Sequence, residues 1–104
     1  MSKLVPGFFK EGDKHLVART YRVHGRVQGV GFRYFVKQNA DTLGIGGFVR
    51  NEDDGGVFVY AVGDTPSMER LAGAIRQGPR FSEVRTVEEK EAGIQKFSSF
   101  RIDQ

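Results

Sequence analysis

Between His24 and Arg33 the chain changes its hydrophobic period, and it places three glycines, Gly25, Gly29 and Gly31, at the change. Before this point, from Leu16 to His24, the apolar residues Val17, Tyr21 and Val23 fall on one parity, as a strand with one inward face requires. After it, Phe32, Phe35, Val36, Ala40 and Leu43 recur at helical spacing, and Gly44 stands where a helix closes on a left-handed residue. The pattern therefore predicts a strand over 16–24, a helix over 32–43, and a glycine-spaced joint between them. A helix that follows a strand so closely has to run back along it. The later elements must then be arranged around a strand–turn–helix unit.

The remaining pattern extends the unit. Residues 46–51, GGFVRN, read as a second strand, and Asp54-Gly55 is a hairpin signal. Residues 57–62, VFVYAV, are apolar on both parities; they fit a strand buried on both faces, or one with a wet face carrying aromatics. Thr65 is a candidate N-cap with Pro66 at the first helical position. Met68, Leu71, Ala72 and Ile75 then form a second helical stripe that Gly78-Pro79 stops. Residues 83–90, around Val84 and Val87, predict a fourth strand, and Phe97, Phe100 and Ile102 a short last one. The expected fold is α+β: a ferredoxin-like βαββαβ sandwich, an antiparallel sheet of four to five strands with two helices on one face. The order of the strands is left open by these patterns.

A chain of 104 residues suits one domain, assigned here to residues 16–104. Residues 1–15, MSKLVPGFFKEGDKH, are expected to be a flexible N-terminal extension. Pro6, Gly7 and Lys10 break their apolar runs, so they lack the continuous apolar region of a secretory signal. No apolar stretch approaches the ~20 residues of a membrane span. The chain contains no cysteine, which excludes disulfides, thiolate nucleophiles and cysteine zinc sites and agrees with a cytoplasmic location. A net charge of +3 favours anionic ligands without singling out nucleic acid.

The joint has chemistry of its own. Glycine lets backbone turn tightly and approach a ligand closely. Successive N–H groups in such a turn form an anion nest, and the helix behind it adds unsatisfied N–H groups and the positive end of its dipole. Arg33 falls in the first helical turn, where a cation opposes the dipole by about 0.5 kcal/mol unless an anion sits between them. Its guanidinium can hold two phosphate oxygens at once. Strand directions bring a second group to the same edge. The first strand runs up, the helix returns, and the second strand runs up again to end at Asn51. The Asn51 carboxamide can accept a hydrogen bond from a water and hold it in line with a bound phosphorus.

Few residues compete for a catalytic part. His15 lies in the extension, and His24, at the end of the first strand, reads as a half-exposed strand residue. Asp53 and Asp54 read as turn formers, and Glu88, Glu89 and Glu91 as a solvated strand edge. Arg22, Arg26 and Arg50 flank the joint as steering or surface charge. No His, Asp or Glu cluster has metal-ligand spacing.

In GRVQGVGFR, LGIGGFVRN, DDGGV and QGPRF the chain resembles the acylphosphatase family, over about Thr20 to Ile102. The resemblance implies a metal-independent hydrolase, without a cofactor, that splits acyl phosphates into carboxylate and inorganic phosphate. It implies that the amides of Gly25, Arg26, Val27, Gln28, Gly29 and Val30 cradle the phosphate, that Arg33 binds it, and that Asn51 orients the water. Phe48 stands where many members have tryptophan, and the extension is longer than most members carry. The expected partner is a small-molecule acyl phosphate, with inorganic phosphate as product and competing ligand. No nucleic acid or membrane is expected to bind, and a monomer is expected. The rival class is an RNA-binding module of the same element order, with Phe58 and Tyr60 as a stacking face. A regulatory domain that binds acyl phosphate without turnover is a third.

Overall fold

The computed structural model describes residues 16–104; the extension assigned to residues 1–15 lies outside the described residues. The elements follow one another as β1 (Leu16–Arg26), α1 (Phe32–Leu43), β2 (Gly46–Asn51), β3 (Val57–Asp64), α2 (Thr65–Gln77), β4 (Glu83–Ala92) and β5 (Phe100–Ile102). The sheet has five strands in the order β4-β1-β3-β2-β5. Both helices pack on one face, α1 over β2 and β5, α2 over β3, β4 and β1. This is the ferredoxin-like plan.

The sheet is mixed, which corrects the expectation of a wholly antiparallel one. β1 pairs antiparallel with β3 and β4, β3 pairs antiparallel with β2, but β2 and β5 are parallel. Chain direction explains the difference. β4 starts beside Arg26 and ends beside Ala18, at the end of the sheet far from the glycine joint. The chain then crosses the open face of the sheet, so β5 has to run back toward the joint, the direction β2 already takes.

That crossing also resolves the two-sided apolar pattern of β3. Val57, Val59 and Ala61 belong to the main core with Phe32, Val36 and Met68 from the helices. On the other face Tyr60 and Val62 are buried beneath a second cluster that includes Phe48, Phe58 and Phe97. The Tyr60 hydroxyl donates to the Gly93 carbonyl at 2.6 Å and accepts from the Gln95 N–H at 2.8 Å, strapping the crossing segment onto the sheet. Phe97 lies 5.5 Å from the Tyr60 ring and is not part of β5. Arg22 and Arg50 sit 4.8 and 4.7 Å over the Phe58 ring. The face that an RNA-binding module would leave open for stacking is thus covered by the chain's own side chains.

Other boundaries also differ from the sequence reading, among them β3, which runs on to Asp64 beyond the expected 57–62. β1 continues past His24 to Arg26 through an irregularity at His24/Gly25. Gly25 has φ +134°, and a Cβ there would come 2.1 Å from the Glu83 carbonyl oxygen, so only glycine allows β4 to pass this close. The N-cap of α2 is Asp64, one residue before Thr65; its carboxylate accepts from the Ser67 N–H at 2.9 Å. Aspartate caps as well as threonine and adds a negative charge at the positive end of the dipole. β4 runs on to Ala92 as a charged edge, and Glu89 there reaches Arg19 at 3.1 Å and Arg76 at 2.9 Å, tying α2 to the sheet.

Beneath this ion-pair group lies Tyr21, fully buried, its hydroxyl without a hydrogen-bond partner among the described residues. Burial pushes its pKa up to about 12; the Glu89 carboxylate adds to the push and the Arg19 guanidinium opposes it. The unfolded chain ionises this tyrosine near ~10. Between these values the unfolded state holds fewer protons than the folded one, so stability falls as pH rises. Tyr21→Phe removes both the unpaired hydroxyl and this titration. Urea denaturation should show the variant at least as stable as the parent at pH 7 and with a shallower loss from pH 10 to 12. An unchanged alkaline decline would contradict the assignment.

Candidate active site

The joint between β1 and α1 is built from Val27 to Gly31. Val27 is buried in the core and anchors the loop from below. Gln28 anchors it sideways: its Nε2 donates to the carbonyls of Glu52 and Gly56, both at 2.8 Å. Those two residues close the β2–β3 turn, where the Glu52 N–H also donates to the Gly56 carbonyl. The loop is therefore locked to the end of β2. Gly29 and Gly31 have φ +75° and +78°, and a Cβ at either would meet nothing within 4 Å. Backbone conformation rather than crowding selects glycine there, and the space above both remains open.

Gly31 is the N-cap of α1 and offers no side chain to the first turn, which also holds no acidic residue. The Phe35 N–H returns to the Gly31 carbonyl at 3.0 Å, and the amides before it begin the helix without a side-chain cap. This helix start borders a cleft of about 180 Å³ lined by Val27, Gly29, Gly31, Phe32, Arg33 and Asn51, with Tyr34 and Ile102 on its walls.

Arg33 and Asn51 thus meet at one cleft, as the strand directions require. Arg33 is steadied from the C-terminal side: its Nη1 donates to the Asp103 carbonyl at 3.4 Å, and the Asp103 N–H donates to the Val49 carbonyl at 2.8 Å. The residue after β5 is hung on β2 and braces the guanidinium. Asn51 ends β2 opposite Val57. Its Oδ1 is buried without a partner among the described residues, at a cost of about 1–3 kcal/mol for such an acceptor.

The other residues singled out from the sequence divide. Gly25 and Arg26 lie in β1, beside Val84 and Glu83, rather than in the loop. Val30 packs partly against the core. His24 meets the Asp54 carboxylate at 3.0 Å. Asp54 accepts from the Gly56 N–H at 2.9 Å, and this bond, with the His24 contact, holds its carboxyl below the usual range. Asp54 is a turn former whose carboxylate is already engaged. Arg22 and Arg50 both pair with Glu52, and neither lines the cleft. Among the described residues no group of three or more His, Cys, Asp or Glu is placed to hold a metal ion, and no helix is long and apolar enough to cross a membrane. Sequence reasoning did not place Gly31 and Phe32 at the site, and it passed over Tyr34 and Ile102 as lining residues. The only signal for the last two was topological: one follows Arg33, and the other ends a strand that had to return to this edge.

The structure defines a small α+β domain in which an uncapped helix start, a glycine loop, an arginine and the unpartnered Asn51 Oδ1 border one cleft. Comparison with known proteins gives its family. The family model described as acylphosphatase matches residues 19–102. The acylphosphatase of Solibacter usitatus is 53% identical over 85 residues, which cover 82% of this chain and 88% of that one. That of Archaeoglobus fulgidus is 44% identical over 87 residues, covering 84% and 98%. The crystal structure of acylphosphatase from Bacillus subtilis matches with a TM-score of 0.82 at 37% identity, over 86% of this chain and 99% of that one. The chain belongs to the acylphosphatase family.

The brace at Gln28 can be tested independently of activity. Gln28→Ala leaves the Glu52 and Gly56 carbonyls with fewer donors and frees the loop from β2. Urea denaturation should show a loss of about 1–2 kcal/mol; no loss would mean that the loop is held elsewhere.

Proposed function

We propose that this chain hydrolyses acyl phosphates as a cytoplasmic monomer, with the phosphate held between the loop amides and Arg33 and the attacking water held by Asn51. The observation that carries this is the buried, unpartnered Oδ1 of Asn51 on the same cleft as Arg33 and the open backbone of Gly29 and Gly31. An acceptor kept without a partner at this cost suits a group that takes a hydrogen bond from a reactant.

The reaction needs little more. The phosphoryl group of the substrate lies over the loop, where N–H groups and the start of α1 meet its oxygens, and the guanidinium of Arg33 takes two of them. The water on Asn51 is aligned opposite the acyl oxygen. Its oxygen bonds to phosphorus as the phosphorus–acyl oxygen bond breaks, and the acyl group leaves as a carboxylate. With a pKa near ~4–5, that leaving group departs as an anion and needs no general acid. The transition state of phosphoryl transfer is loose, so positioning and charge stabilisation supply most of the catalysis. The proton of the water passes to a phosphoryl oxygen, which removes the need for a protein base. His24, engaged with Asp54, is not used. Inorganic phosphate is a product and fits the same cradle as a competitor.

Arg33→Ala should lower kcat/KM for benzoyl phosphate by on the order of 10³-fold or more, the scale of an arginine that stabilises a phosphoryl transition state. Near-normal turnover would remove Arg33 from the mechanism. Asn51→Ala should lower kcat by about 100-fold or more, the scale of one lost transition-state interaction, and leave competitive inhibition by inorganic phosphate within a few-fold. If inhibition fell as far as turnover, Asn51 would be a binding group. Incubation with a chelator should leave the rate unchanged, and a loss would reveal a metal requirement.

A further inference from the structure

The phosphate end of the cleft says nothing about the acyl end, but the walls do. Tyr34 is 59% exposed, although it is a large aromatic in the first turn of α1, directly after Arg33. It lines the same cleft as Arg33 and Asn51, and Ile102, at the end of β5, lines it too. The ring is restrained: the Gln38 Nε2 donates to its hydroxyl at 3.2 Å, one helical turn on. The polar groups of the cleft are the loop amides, Arg33 and Asn51, and each has a part at the phosphoryl group. Val27 and Phe32 also line the cleft but are only 1% exposed, so what remains to meet the rest of a substrate is the exposed Tyr34 ring and the Ile102 side chain, with no further charged group lining the cleft.

We propose that Tyr34 is the specificity-determining residue for the acyl group, and that with Ile102 it forms an apolar wall favouring flat, apolar acyl chains over small polar ones. This rests on the function proposed above and names its substrate class: aromatic or extended apolar acyl phosphates. The phosphoryl group anchors identically for every substrate, so the wall acts only on the acyl side. Contact between an aryl group and the Tyr34 ring contributes through area and ring geometry, on the order of three- to tenfold in kcat/KM. An acetyl group is too short to use it.

The test compares benzoyl phosphate with acetyl phosphate in the unaltered protein, Tyr34→Ala and Tyr34→Phe, with inhibition by inorganic phosphate measured for each. Tyr34 is exposed, so neither substitution disturbs the core. Tyr34→Ala should lower kcat/KM for benzoyl phosphate about three- to tenfold and leave acetyl phosphate and phosphate inhibition within twofold. Tyr34→Phe, which keeps the ring, should retain the parent's ratio between the two substrates. An equal change for both substrates in Tyr34→Ala, or none for either, would overturn the role of Tyr34 while leaving the hydrolytic function intact. Hydrolysis of neither substrate by the unaltered protein would instead overturn that function and this inference with it.

Discussion

The two antiparallel ladders that β3 makes, with β1 on one side and β2 on the other, bring the glycine loop and Asn51 to the same end of the sheet. Because β3 opposes both, β1 and β2 run the same way and end at the same edge. The glycine loop leaves the end of β1, and Asn51 is the end of β2. A slip of one residue in either ladder would turn Val57, Val59 and Ala61 from the core to the other face, so burial fixes the register strongly. The core therefore specifies the site even though few core side chains touch it. β5, returning along β2, adds Ile102 to one wall and the Asp103 carbonyl to the brace on Arg33.

Against this saturated framework the cleft is conspicuous for bonds left unmade. Around it polar side chains are engaged: Gln28 spans two carbonyls, Tyr60 fastens the crossing segment, and Asp64 caps α2. At the cleft the start of α1 has no side-chain cap, a cation occupies a turn whose dipole repels it, and the Asn51 Oδ1 is buried alone. Each is a local penalty that a dianion and a water would reverse together. Tyr21, the other buried oxygen without a partner among the described residues, lies under the ion pairs of Arg19, Arg76 and Glu89; a cleft above it is lined by those charged side chains, and Tyr21 does not line it. An unpaired atom becomes informative when its neighbours are unsatisfied in the complementary sense.

Local periodicity made much of this legible. The helix over 32–43 and the strand over 46–51 have the bounds that their apolar spacing and flanking glycines predict. The meeting of Arg33 and Asn51 followed from strand direction alone, without knowledge of strand order. What the sequence hid depends on contacts distant in the chain. The parallel pairing of β5 follows from where β4 ends and how the chain crosses, which no local pattern encodes. The continuation of β1 to Arg26 depends on how closely Glu83 passes Gly25. Thr65 and Asp64 are both good caps, and backbone geometry chose between them. Tyr34 is a helix residue whose spacing places it off the core stripe, and only the assembled cleft gives it a neighbour.

The central claim is that the amides of the glycine loop and the guanidinium of Arg33 converge on one tetrahedral dianion. Titrating isotopically labelled protein with inorganic phosphate, and following backbone amide and arginine Nε–H resonances, tests this most directly. The expected result is one saturable set of shifts centred on Gly29, Val30, Gly31 and the side chain of Arg33, fading beyond the start of α1. Shifts that fail to saturate, or that centre on Arg22 and Arg50 on the sheet face opposite the helices, would contradict it.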